Sequence, residues 1–477
     1  MGGIGQLHQQ VTIRTLPDDV LLKIFKFFVD EMCCYDCPEE WRMLVHVCRR
    51  WRNLAFTSPH HLNLQVLCKP PWRSVKIMLD IWPELPIYLL GYDHPNREAR
   101  DDIVAALKLN HRVSGIHLQK TSYLAWETFV PLMQHPFPVL THLWVEPYRP
   151  IQNDISHSFL GGSAPCLQDL LLTGLPFPAL PELLLSATKL TRLWYRDIPP
   201  SGYISPQAVV TSLSALTRLE SLSLTFRSPQ SLSDKPIRIS PPHIRTLLPA
   251  LTYLRYQGVS GYMEDLVAQI DAPLLESIVI TFFHQEVLEV SQLAKFVRHA
   301  DKLSLLDRAE VTFQDDRISV TLSQELLVGS VDPKTLELDP ICSERDLRVS
   351  YLAQFCASCL PTLSPFECLD IQVPFELMWE EFILDPDPQW LEFLRLFNTV
   401  KYLRLNRYVA SRVAQTLRGL PAERVTEVLP ALGNVFLSEL EPVGPVMEAI
   451  SEFADARQLS GHPVSIYYRD GNEGGVH

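Results

Sequence analysis

Two hydrophobic periods divide this chain. Near the N-terminus apolar residues recur every three to four positions: Leu16, Val20, Leu21, Ile24, Phe25 and Phe28, then Leu44, Val47, Cys48, Trp51 and Leu54. That spacing predicts two short amphipathic helices, with Pro17 suited to the first helical position because its missing N–H would have no partner there. Farther on, apolar residues come in short alternating runs. Leu140-x-x-Leu143-x-Val145 is followed by the same pattern ending at Leu172, Tyr195, Leu224, Tyr256, Ile280 and Leu405. Alternation predicts one short strand per run, with its second and third apolar residues facing a core.

The runs share one form, LxxLxL, and each stands in the same relation to a helix-like stretch such as Pro181–Ala187 or Asp265–Asp271. Leu143, Leu170, Leu193, Leu222 and Leu254 are separated by 27, 23, 29 and 32 residues. Those steps lie at or above the usual leucine-rich-repeat period of about 20–29. A repeat of one strand and one helix exposes apolar surface that only its neighbours cover, so the units must stack. The expected fold is therefore α/β: a small helical module, then an irregular leucine-rich-repeat solenoid with a curved parallel sheet and helices on its convex side. The boundaries read as 10–65, 70–445 and a C-terminal segment with a flexible tail at 446–477. The repeat is hard to follow between about 310 and 365.

Two short helices cannot bury two apolar faces against each other alone, so part of that surface is expected to meet a partner or the rest of the chain. The residues LPDDVLLKIF, VCRRWRNLA and the following SP and Leu62 resemble an F-box, with extra residues from Asp30 to Glu40 between the helices. The resemblance implies docking to a Skp-type adaptor and through it to a cullin–RING ubiquitin ligase. It places adaptor contact and module core together on Leu16, Pro17, Ile24, Phe25, Leu44, Val47, Cys48 and Trp51. An F-box followed by PFP-L-THL, SFLGGSAP-LQ-L, LLLSAT-L, SGYISP and LPALTYL resembles the expanded F-box families of mushroom-forming fungi, which implies substrate capture for ubiquitination.

Composition narrows the alternatives. The 477 residues carry 42 basic and 55 acidic side chains, a charge of −13, which disfavours non-specific nucleic-acid binding. Apolar content of 47% with 20% charged residues indicates a folded chain. No run approaches the roughly 18 apolar residues of a membrane span, so no membrane is expected as a partner. Neither a signal peptide nor a basic nuclear address is recognisable, and the expected location is the cytoplasm, with the nucleus open as well. The ten cysteines are scattered, which fits a reducing compartment. Cys33, Cys34 and Cys37 offer half a zinc site with His46 or Cys48, but no second ligand pair stands nearby and the loop reading is preferred. Cys356 and Cys359 read as buried helix residues.

No catalytic grouping is recognisable. Gly161-Gly162-Ser163 fits neither a phosphate loop nor a nucleophile elbow, and the acid pairs Asp18/Asp19, Asp101/Asp102 and Asp315/Asp316 suit helix starts and turns. Neither an enzyme nor a cofactor is expected. Binding chemistry is expected instead at the residue between the last two apolar positions of each run, which alternation turns to the open face of the sheet. That column contains Trp144, Leu171, Trp194, Ser223, Arg255, Val279 and Arg404, flanked by Glu146 and Arg196. Trp and Arg are enriched at binding hot spots. Trp144, Leu171 and Trp194 are expected to form an apolar ledge that, with Arg196 and Arg255, grips an unknown protein target. A slip of one residue in register would bury all three. The alternative function is a ligase-independent repeat scaffold for protein interaction.

Overall fold

The computed structural model describes residues 13–32, 42–57, 66–68, 85–92, 97–228, 245–283, 290–303, 306–313, 318–324, 335–340, 349, 352–353, 356–357, 366–373, 389–418, 420–438 and 444–469. Contacts divide the chain into two compact units, residues 1–151 with 156–172, and residues 152–155 with 173–477.

Among the described residues, the first unit opens with a 3-10 turn at Ile13–Thr15 and three α-helices, α1 (Asp18–Met32), α2 (Arg42–Val47) and α3 (Arg49–Thr57). The second apolar stretch is thus two helices and not one. The break falls at Cys48, whose Sγ accepts from the Trp51 N–H at 3.5 Å and whose carbonyl accepts from the Arg52 N–H at 3.0 Å. This is the geometry of a helix start, with a thiol taking the place usually held by a hydroxyl. Cys48 is consequently exposed, and Leu44, Val45 and Ala55 fill the interior.

Five parallel strands follow in the same unit: β1 (Val66–Cys68), β2 (Ile87–Tyr92), β3 (Val113–Thr121), β4 (His142–Pro147) and β5 (Asp169–Thr173). Helices Arg97–Leu107 and Tyr123–Phe129 lie between them in sequence. At 160–162 the chain turns through left-handed backbone, with Leu160 at φ 55° and Gly161 at φ 69°. A Cβ on Gly161 would stand 2.8 Å from the Pro136 ring, so only glycine passes there.

The second unit continues the device with β6 (Arg192–Ile198), β7 (Ser221–Phe226), β8 (Thr246–Leu247), β9 (Tyr253–Gly258), β10 (Ile270–Asp271) and β11 (Ser277–Phe282). Next come β12 (Arg308–Phe313), β13 (Ile318–Ser323), β14 (Thr335–Pro340), β15 (Cys368–Gln372), β16 (Tyr402–Asn406), β17 (Asn434–Ser438) and β18 (Ser465–Arg469). Strands β8 and β10 pair only with each other. The remainder form one sheet whose spatial order within this unit is β6-β7-β9-β11-β14-β13-β12-β15-β16-β17-β18.

The leucines behave as alternation requires. In all seven LxxLxL runs the three apolar positions are buried, from Leu140, Leu143 and Val145 through Val400, Leu403 and Leu405. Registry is equally regular, with Leu222 opposite Leu254, and Leu254 opposite Ile278.

Two features depart from a uniform parallel solenoid. Strand β13 runs antiparallel to both β12 and β14, so the parallel order breaks where the repeat was hard to follow. Alternation alone does not report strand direction, because a reversed strand buries the same every-second residues. The second departure is at the C-terminus. Residues 446–469 of the C-terminal segment, expected to carry a flexible tail, continue as helix Pro445–Leu459 and as β18, which pairs in parallel with β17. Arg457, fully buried in that helix, ties it to the carbonyls of Val428 to Leu432.

Candidate functional site

The three N-terminal helices close a small core and leave apolar side chains outside it. Leu21 and Phe25 on α1 are fully buried, and Phe25 packs on the Trp51 ring with centroids 4.7 Å apart. Arg50 of α3 fixes the start of α1: its Nη2 lies 2.6 Å from Asp18 Oδ1 and 2.7 Å from the Leu16 carbonyl. Arg52 Nε donates to the Val45 carbonyl at 2.9 Å and so joins α3 to α2. These bonds hold the module without help from Ile24 and Phe27, one turn apart on α1 and 40% and 65% exposed. Met43 and Val47 form a second exposed pair on α2.

The residues expected to serve the adaptor therefore separate. Phe25 and Leu44 are core and unavailable for contact. Pro17, Ile24, Val47 and Cys48 are exposed, while Leu16 and Trp51 are half-buried. Phe27 and Met43 were not among the expected contacts. Their exposed apolar character follows from the i, i+3 and i, i+4 relation to Ile24 and Val47, a signal present in the sequence.

On the strands, the register places the middle residue of each run opposite the buried leucines. Trp144 pairs across with His117 and with Leu171, and its ring stacks on His117 at 4.1 Å and 10°. Its Nε1 is buried with no hydrogen-bond partner among the described residues. Leu171, expected on an exposed ledge, is only 7% exposed. Its in-register neighbour is Trp144, an indole large enough to shade a leucine at strand spacing. Next to this pair, His142 is held on both sides, by Thr141 Oγ1 at 2.8 Å and by Asp169 Oδ2 at 3.2 Å. The Thr141 hydroxyl donates to the Ser114 carbonyl at 2.8 Å, so this Thr-His-Asp chain is a strand latch, not a nucleophile with its base.

Trp194 belongs to the second unit and has different company. The Arg196 guanidinium lies 4.1 Å from its ring centroid and that of Arg192 lies 5.3 Å away. Its Nε1 donates to Ser221 Oγ at 2.9 Å, and Arg196 Nε donates to Ser223 Oγ at 3.3 Å. Arg255 is half-buried one strand beyond Ser223, in register with it. Asp197, at φ 50° in a local irregularity of β6, faces Arg227 at 3.9 Å; burial raises its carboxyl pKa and Arg227 offsets part of that.

Among the described residues, no group of three or more His, Cys, Asp or Glu is placed to hold a metal ion, and no helix is long and apolar enough to cross a membrane. Cys33, Cys34, Cys37, Cys359 and Asp315/Asp316 lie outside the described residues. Cys356 is fully buried in helical backbone.

Comparison with known proteins bears on both parts. The profile of the F-box-like family matches residues 13–61. No curated protein matches the chain. Among solved structures, the leucine-rich repeat-containing protein LegL7 from Legionella pneumophila is similar over 65% of this chain and 86% of its own, with 14% identity and a TM-score of 0.25. At that score the overlap adds nothing to the repeat architecture, which rests on the buried LxxLxL positions and strand register above. Residues 13–61, with their closed core of Leu21, Phe25, Leu44, Val45 and Ala55, are an F-box-like domain placed ahead of a leucine-rich-repeat-like series of strands.

Proposed function

We propose that this chain is a non-catalytic substrate-recognition subunit of a cullin–RING ubiquitin ligase of the SCF type. Its F-box-like domain docks to a Skp-type adaptor, and the open face of its strands takes a protein target inside the cell. The observation that carries the reading is the pair of exposed apolar couples, Ile24 with Phe27 and Met43 with Val47, on a domain whose core is complete without them. Apolar surface left outside a closed core marks an interaction site, and Phe and Met are enriched at interface centres. Pro17 and Cys48 are exposed beside these helices, and Leu16 and Trp51 are half-buried. The chain's contribution to catalysis is proximity, since orientation and effective concentration alone accelerate transfer between bound partners.

Co-expression with a Skp-type adaptor tests this. The wild-type chain is expected to purify as a stoichiometric complex, and Ile24→Asp/Val47→Asp to stay folded and lose it. A complex that survives both substitutions overturns the assignment of this face. No complex from folded wild-type protein favours a ligase-independent scaffold, for which target capture would persist after deletion of residues 1–61.

A further inference from the structure

Strand β18 is the last of the sheet in the second unit and, among the described residues, pairs on one side only, with β17. The register sets Ile466 opposite Val435, Tyr467 opposite Phe436 and Tyr468 opposite Leu437. Val435 and Leu437 are buried, yet Tyr468, on the same core side, is 47% exposed and Ile466 is half-buried. On the open face Tyr467 stacks on Phe436 with centroids 5.0 Å apart and is itself 48% exposed. The cover that β18 gives β17 is thus missing for β18 itself among the described residues. Repeat arrays ordinarily end on a capping unit with a polar outer face, and sheet edges are ordinarily blunted by charge, proline or a bulge. From Ser465 to Tyr468 this edge carries none of these.

The backbone groups of this edge have a definite phase. The Ser465 N–H donates to the Gly433 carbonyl at 2.9 Å. By alternation Ser465, Tyr467 and Arg469 aim their backbone groups at β17, and Ile466 and Tyr468 aim theirs outward. A two-fold axis through Tyr467, normal to the sheet, sets a second copy of the strand antiparallel to the first. Ile466 then lies opposite Tyr468 of the other copy, and each such pair exchanges both of its N–H···O bonds. The outward N–H and C=O groups of both residues are all used. The side chains agree with this register. Ile466 meets Tyr468 on the core side, and Tyr467 meets its own counterpart on the open face, with Cα atoms about 4.5 Å apart. Aromatic–aromatic and aromatic–β-branched pairs are favourable across strands. Arg469 falls opposite Ser465, so the one charged residue of the strand avoids its like. Residues 470–477, DGNEGGVH, are mostly of types depleted in strands, which makes them poor competitors for the edge.

We propose that this chain pairs with a second copy of itself through β18, antiparallel about Tyr467, to form a closed dimer. The contact is isologous, so it ends at two copies and does not propagate. One short strand per copy lies at the small end of specific interfaces, so the dimer forms as concentration rises. Sedimentation velocity on the full chain tests this: the mass is expected to double from 54.4 kDa with concentration and to stop there. Ile466→Lys turns a charge inward at the edge, and Tyr468→Pro removes an outward N–H that β17 does not use. Both should stay monomeric with unchanged melting. Leu185→Ser, at an exposed helix end of the same unit, and deletion of residues 470–477 should leave dimerisation as in wild type. Under mild oxidation Tyr467→Cys should give a disulfide-linked dimer above the wild-type background, because the axis brings the two side chains together, and Ser465→Cys should not. Cross-linking reads the register without depending on a variant that loses function. A wild-type chain that is monomeric at every concentration, or that assembles beyond a dimer, overturns the proposal. So do dimers unchanged in folded Ile466→Lys and Tyr468→Pro, dimers lost with residues 470–477, or cross-linking at position 465 in place of 467. No adaptor takes part in these measurements, so their result stands apart from F-box docking.

Discussion

Arg457 Nη2 donates to the Leu432 carbonyl at 3.1 Å, and the same guanidinium reaches the carbonyls of Val428, Leu429 and Pro430 at 3.4, 3.3 and 3.2 Å. All four acceptors are backbone carbonyls; the buried cation is held by their dipoles, and burial lowers its pKa from the usual guanidinium range. Arg457→Met should cost about 3 kcal/mol, because several buried acceptors lose their donor at once. Arg457→Lys should fall between, since an ammonium is a point charge without the planar fork. Urea unfolding followed by circular dichroism measures both, and a change below about 0.5 kcal/mol, the range of ordinary surface substitutions, would show that the carbonyls find other donors.

Glu264, on helix Ser260–Val267, accepts from the N–H groups of Gln292 and Leu293 at 2.7 and 2.8 Å and from Ser291 Oγ at 3.1 Å. The start of helix Ser291–Arg298 is therefore capped from the preceding helix, not by its own residues. Glu264→Ala should destabilise by about 2 kcal/mol and speed hydrogen exchange first in residues 291–298. Glu264→Gln, which keeps one oxygen acceptor, should recover part of that protection.

Phe25 and Ile24 are neighbours in sequence with opposite duties. Phe25→Ala removes a fully buried ring against Trp51 and should destabilise the F-box-like domain by about 3–5 kcal/mol. Ile24→Ala, at a site 40% exposed, should change stability by no more than about 0.5 kcal/mol while weakening adaptor binding. Limited proteolysis of the N-terminal module and adaptor co-purification separate the two outcomes.

The buried phenols of Tyr195, Tyr256 and Tyr262 all have pKa values raised by desolvation, with neighbouring tyrosines adding to the last two. A raised phenol pKa means the folded state holds its proton where the unfolded state has released it. The associated stability is present below the unfolded value, about 10, and declines as pH rises beyond it. Phenolate absorbance should show an early exposed class and a late class that appears together with loss of the far-ultraviolet signal. Late tyrosines ionising smoothly with the fold intact would contradict the packing of this cluster.

How much of this was legible in the sequence depends on what each feature's signal is made of. Burial at Leu143, Leu170, Leu193 and their counterparts was legible because one period of two settles which face each residue takes. The register also held at Trp144 and Trp194, but exposure did not follow from it. Leu171 is hidden, and only knowledge of its cross-strand neighbour Trp144 explains why. Cys48 misled because a continuous apolar spacing runs through a helix break, and thiol capping has no familiar sequence mark. Phe25 and Leu44 could not be told from contact residues, since core and interface ask for the same side chains. The reversal at β13 turns on pairings 5 to 18 residues away, and the reach of Glu264 and Arg457 on partners 25 to 29 residues away, which periodicity does not encode.

Those last two side chains point in opposite directions along the chain, and this matters during synthesis, when the N-terminal end emerges first. Glu264 is already outside the ribosome when Ser291 to Leu293 arrive, so the acceptor waits for its helix and that repeat can set as it appears. Arg457 comes after the carbonyls it serves. The backbone of residues 428–432 must remain wet until helix Pro445–Leu459 is made, so the C-terminal end of the sheet is completed in one late step. A chain stopped short of Arg457 would carry a correctly built beginning and an unfinished end.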